Sequence, residues 1–209
     1  MHRFFISLFV WIVTASSVFS AVEYDNFAPG NIYSQNSGFS ISSQYRDASA
    51  FTASFTGTLT SIDFGVTAQM PGNHDFNVSI ALDAGGQPAG SATFLGMISP
   101  TAGFNGPGSD RAIVSLTNLS YSLTIGAVYW IELSAAGPND GGVWNLSTVA
   151  TTPQMLQSSD GGLTWSNPGL SGIGAFRVNA SVVPEPTTVA LLGSAFGMCL
   201  LIERSRRRR

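Results

Sequence analysis

The feature that most constrains this chain is a two-residue hydrophobic rhythm, broken at short intervals by residues that turn the backbone. Phe76, Val78, Ile80 and Leu82 alternate with Asn77, Ser79 and Ala81. Successive side chains of an extended strand point to opposite faces, so this spacing gathers the large apolar groups on one side. Ile62-Asp63-Phe64-Gly65-Val66 repeats the rhythm, as do Ala112, Val114 and Leu116, and then Tyr129, Ile131 and Leu133. Between these runs lie Pro71-Gly72-Asn73, Asp83-Ala84-Gly85-Gly86, Asn105-Gly106-Pro107-Gly108, Pro138-Asn139-Asp140-Gly141-Gly142 and Asp160-Gly161-Gly162. Gly, Asn and Asp tolerate positive φ, and Pro presets a bend, so these clusters are turns. No stretch of helical periodicity of ordinary length interrupts them. Short strands at roughly 8–15-residue spacing predict an all-β domain over residues 21–182, an antiparallel β-sandwich or jelly roll.

Such a domain has no covalent staple. The one cysteine, Cys199, lies in a C-terminal apolar stretch, so stability must come from core packing. Thiol catalysis and structural zinc sites are excluded from the domain on the same ground. Its charge excludes a further class. Between residues 21 and 183 the basic side chains are Arg46, Arg111 and Arg177, against ten acids, and there is no lysine. An acidic surface repels polyphosphate, so nucleic acid is not an expected partner.

The two ends read as targeting segments. Met1-His2-Arg3 is a short positive region, Phe4 to Val13 is apolar, and Val18-Phe19-Ser20 offers a cleavage site. Residues 1–20 are therefore expected to be a secretory signal peptide. At the other end, residues 187–202 are apolar and span about 24 Å as a helix, short of the ~30 Å hydrocarbon core. Arg204, Arg206, Arg207, Arg208 and Arg209 follow, in a tail of residues 203–209. Arginines can snorkel to the interface and hold their flank in the cytoplasm, which predicts a transmembrane helix with the β domain outside. Val183-Pro184-Glu185-Pro186 precedes the helix, and its prolines hold Glu185 extended just outside the bilayer.

This arrangement over residues 183–209 resembles the PEP-CTERM sorting signal. The resemblance implies recognition of Pro184, Glu185 and Pro186 by an exosortase, a membrane-embedded cysteine transpeptidase of Gram-negative bacteria that usually also make exopolysaccharide. Glu203 departs from the pattern by placing an acid beside the basic flank. The domain itself, through Asp25-Asn26-Phe27, Leu59-Thr60-Ser61-Ile62-Asp63, Tyr129-Trp130 and Phe176-Arg177-Val178, resembles the choice-of-anchor domains of bacterial surface proteins. That resemblance implies surface display and no particular activity.

The expected function is accordingly an exported structural or interaction protein, associated with the cell surface, a biofilm or an exopolysaccharide matrix. It is anchored in the membrane at least transiently and is not an enzyme. The alternative is a carbohydrate-binding module. Trp144 and Trp165 lie in Gly-rich neighbourhoods where a loop would expose them, so they are its candidate rings for stacking on sugars. A polysaccharide hydrolase is a third reading; it needs two paired carboxylates from among Asp63, Asp75, Asp83 and Glu132, which spacing does not pair. No catalytic residue is assigned. His74, beside Gly72-Asn73, is expected to be an exposed loop residue. No cofactor is required, although the Asp83 and Asn139-Asp140 turns offer oxygen ligands of the kind calcium takes. Ser158-Ser159-Asp160-Gly161-Gly162-Leu163-Thr164-Trp165 fits the Asp-box pattern, expected here to staple a hairpin.

Overall fold

Alternating runs of this kind bury one face each, and the way to cover those faces is to stack sheets. The structure, a computed structural model, describes residues 19–69, 74–101, 103, 112–149, 155–169 and 172–182. Val183 to Pro186, the apolar span after them, the five C-terminal arginines and Arg111 lie outside the described residues, as does nearly all of the expected signal peptide. The strands are β1 (Phe19–Asp25), β2 (Gly38–Ile41), β3 (Arg46–Thr52), β4 (Gly57–Phe64), β5 (Val66–Ala68), β6 (Phe76–Leu82) and β7 (Thr93–Ile98). They continue as β8 (Val114–Leu116), β9 (Tyr121–Leu123), β10 (Val128–Ala135), β11 (Gly142–Asn145), β12 (Leu156–Ser158) and β13 (Phe176–Val182). Among the described residues there is no helix.

The strands form three sheets. One runs β1-β13-β4-β8 with β9 also on β4, a second runs β12-β3-β10-β6-β7, and a third is β2-β11-β5. The pairings of β3, β6 and β10, like those of β4 with β8, β9 and β13, are antiparallel. The fold is all-β, with the layered antiparallel character of a β-sandwich. One core collects the inward residues of all three sheets: Phe64, Phe176 and Val178 from the first, Phe51, Ile80 and Ile131 from the second, and Phe39, Val66 and Trp144 from the third.

Two bulges tune which side chains face inward. In β4 both Leu59 and Ile62 are buried, which strict alternation forbids. Asn179 pairs with Ser61 and Ala180 with Leu59, so Thr60 is the extra residue that resets the phase. In β7, Gly96 pairs with Val78 and Phe94 with Ser79, so Leu95 is the extra residue and leans toward the core.

Three of the segments named above, Asp25-Asn26-Phe27, Leu59 to Asp63 and Phe176-Arg177-Val178, meet in space. Buried Asn26 donates from Nδ2 to the Gly174 carbonyl at 2.8 Å, and its Oδ1 accepts the Phe176 N–H at 2.7 Å. Arg177 pairs with Asp25 at 2.8 Å and Asp63 at 3.5 Å, and its guanidinium lies 5.4 Å from the centre of the Phe27 ring. These residues clasp the first described strand to the last. Asn26→Ala leaves two buried backbone groups unpaired and is expected to cost on the order of 3 kcal/mol. Urea unfolding checks this; a loss below about 0.5 kcal/mol would show the clasp to be incidental.

Candidate functional site

The second sheet has an outer face that is not left to solvent. Tyr129, Ile131 and Leu133 of β10 point into the core, so Trp130 and Glu132 point the other way. Both are nonetheless buried, at 3% and 6% exposure. Trp130 lies opposite Ala50 on β3 and Ala81 on β6, small residues that leave room for an indole lying across the sheet. Leu156 and Trp165 cover it, and its Nε1 donates to Asp83 Oδ1 at 2.8 Å.

The cover is the Asp-box hairpin, closed by a Gln157–Ser166 bridge. Ser158 Oγ donates to Asp160 Oδ1 at 2.8 Å and accepts the Gly162 N–H at 2.8 Å. Asp160 Oδ1 accepts the N–H groups of Leu163 and Thr164 at 3.1 and 2.9 Å, while the Thr164 hydroxyl donates to Oδ2 at 2.6 Å. The hydroxyl and N–H of Thr164, then the Ser158 hydroxyl, hold this carboxyl down at about 2. The carboxylate here organises a turn. Gly161 and Gly162 take φ of 79° and 94°, which L side chains rarely adopt.

Two hollows are lined by residues of this sheet. One, of about 680 Å³, is mostly apolar and is lined by Tyr24, Thr52, Asp83, Val128, Trp130 and Leu156. The other, of about 260 Å³, is polar: Arg46, Ser79 and Glu132 line it from three adjacent strands, Phe94 stands at one side, and Gly90 and Gly162 form walls. Glu132 makes no hydrogen bond among the described residues. Burial pushes its carboxyl up to about 6, and attraction to Arg46 opposes only part of that rise.

No protein-family model matches this chain, and no curated protein matches it. Among solved structures, a clostridial cysteine protease after propeptide cleavage is similar, with a TM-score of 0.47 at 15% identity. The match covers 69% of this chain and 38% of that one, so the chain spans well under half the length of that structure.

Several expected positions fall elsewhere. Trp144 has no exposed face: it is fully buried, edge-on to Phe64 and Phe176 at 5.8 Å each, and its Nε1 donates to the Ala175 carbonyl at 3.1 Å. This corrects the reading of Trp144 as a stacking ring. The glycines near it make room for the indole, since a Cβ on Gly174 would stand 2.4 Å from it. Trp165 is half-buried and packs in the cluster around Trp130. His74 is not an exposed loop residue; it is 9% exposed, its Nδ1 accepts the Gly141 N–H at 3.1 Å, and Asp140 lies 3.8 Å away.

The four candidate carboxylates are engaged separately. Asp63 accepts from Ser115 and faces Arg177, Asp75 accepts from Ser99, Asp83 accepts from Trp130 and the Gly86 N–H, and Glu132 lines the polar hollow. The Asp83 carboxylate that the calcium reading invoked also holds the turn and the indole. Among the described residues, no group of three or more His, Cys, Asp or Glu is arranged to hold a metal. Sequence reasoning missed Arg46 and Ser79 as neighbours of Glu132, because only strand pairing brings them together.

Proposed function

We propose that this chain is an exported, non-enzymatic β-sandwich protein, of jelly-roll type, delivered by a signal peptide and processed by an exosortase at its C-terminal signal. The domain is then displayed at the cell surface or in an exopolysaccharide matrix of a Gram-negative bacterium. The observation that supports this reading is where the last described strand ends. Strand β13 stays paired to its last residue, Val182 opposite Gly57, and the Val183-Pro184-Glu185-Pro186 motif begins at the next position. A transpeptidase needs an extended backbone that it can reach, and proline on both sides of Glu185 disfavours helix there. Cutting directly after this last described strand would remove the membrane helix and the arginines without taking any described strand from the sheet.

The test is sorting itself. The Pro184→Ala/Pro186→Ala double variant, expressed in a host that carries an exosortase, is expected to accumulate as full-length precursor in the membrane fraction. Immunoblotting of membrane and extracellular fractions reads the outcome. Processing at the wild-type rate would overturn the proposal. The carbohydrate-binding alternative loses Trp144 as a platform, and the polar hollow offers it a different place.

A further inference from the structure

The geometry points to the hollow between the Asp-box turn and the β6–β7 loop as a binding site for one uncharged pyranose ring, such as the terminal residue of a neutral glycan. The inference does not depend on how the chain is sorted. It starts from Glu132. The residue as a whole is 6% exposed, and its carboxyl reaches out of the protein only into the hollow that it lines, where a polar group favours a hydrogen-bond partner. Glu132 finds none among the described residues, and it faces a cavity. Arg46, the cation in that cavity, attracts it without closing to an ion pair, so guanidinium donors also remain for a guest. Ser79, directly opposite Glu132 on β6, adds a hydroxyl.

A sugar hydroxyl both donates and accepts. Adjacent hydroxyls on a ring can give one hydrogen bond to a carboxylate and take another from a guanidinium, which a simple ion cannot do. A phosphate or sulfate would meet the Glu132 carboxylate, and a bare cation would meet Arg46. Phe94 supplies the remaining requirement. It is 59% exposed, and the Leu95 bulge places it on the outer face, opposite Ser79. A flat apolar ring there matches the C–H face of a pyranose. Size sets the limit: about 260 Å³ lies below the ~300–1,000 Å³ usual for drug-sized ligands, enough for one ring and not for a buried oligosaccharide.

The site is also held in place. The hydrogen bonds of Asp160 and Ser158 fix Gly162, where a Cβ would come within 3.5 Å of the Arg46 guanidinium. The structural motif thus serves as one wall of the hollow, and rigid walls of this kind favour binding by limiting what must be ordered.

The test titrates the full chain, in a detergent without a sugar headgroup, with the methyl glycosides of glucose, galactose and mannose, and with glycine as a zwitterionic control. Saturation-transfer NMR and calorimetry give the affinity. Saturable binding of at least one glycoside is expected, weakened tenfold or more by Glu132→Gln and several-fold by Phe94→Ala. Phe94 is exposed, so its variant is expected to keep the wild-type melting temperature, which separates lost binding from lost folding. No saturable binding of any glycoside would overturn the inference. So would glycoside binding that both substitutions leave unchanged, or saturable binding of glycine alone.

Discussion

Trp144→Ala is expected to remove about 3–5 kcal/mol of folding stability, a large share of the ~5–15 kcal/mol that a domain usually has. The indole is fully buried on β11, the central strand of the three-stranded sheet, and lies edge-on to rings from β4 and β13. Truncation leaves a cavity between sheets that strand pairing keeps from collapsing, and it removes the Nε1 hydrogen bond to the Ala175 carbonyl, which keeps only the Gly65 N–H. The Trp144→Phe variant is expected to recover most of the packing and none of the hydrogen bond, so its stability should fall between the two. Gly174→Ala attacks the same contact from the other side, because the added Cβ would need the indole to move. Urea unfolding followed by circular dichroism measures all three. If Trp144→Ala costs less than about 1 kcal/mol, the indole is not the keystone of this layer.

That buried indole shows where the sequence was legible and where it was not. Alternation marked Phe76 to Leu82 and Tyr129 to Leu133 as strands, and these became β6 and the centre of β10. It also marked Ile62 to Val66, which the fold divides at Gly65, whose N–H goes to the Ala175 carbonyl and whose missing Cβ makes room for Tyr33. Strand β3 gave no such signal, since both of its faces are buried and alanines serve on the outer one. The bulges at Thr60 and Leu95 shift phase by one residue, which period counting reads as noise. The glycines around Trp144 read as loop residues because a lack of side chain looks alike whether it frees a turn or admits a ring. At the polar hollow the Asp-box motif was legible as a staple. That it walls a cavity was not, because the cavity depends on register across three strands.

Raising the pH is expected to weaken the fold well before any surface group is strained, and Asp47 is the cause. It is fully buried on β3, opposite Leu133 of β10 and Gln157 of β12. Gln157 Nε2 donates to its Oδ1 at 2.9 Å, while Oδ2 has no partner among the described residues. Burial pushes the carboxyl up to about 8, and the Gln157 hydrogen bond opposes that only in part. An aspartate in an unfolded chain titrates near ~3.9, so between these values the folded state holds a proton that the unfolded state has released. Stability therefore declines as pH rises from about 4 to about 8 and levels off above that. At about 1.4 kcal/mol per unit, the full decline is on the order of 5 kcal/mol. Glu132 acts in the same direction, but its contribution ends near about 6, so the slope between pH 6 and 8 belongs to Asp47. Asp47→Asn keeps an oxygen for Gln157 and removes the titration. Its unfolding free energy is expected to match wild type near pH 4 and to exceed it by several kcal/mol at pH 9. Parallel stability curves for the two proteins across that range would mean that Asp47 is not held neutral by the fold. A chain with no disulfide among its described residues would then owe its pH response to another group.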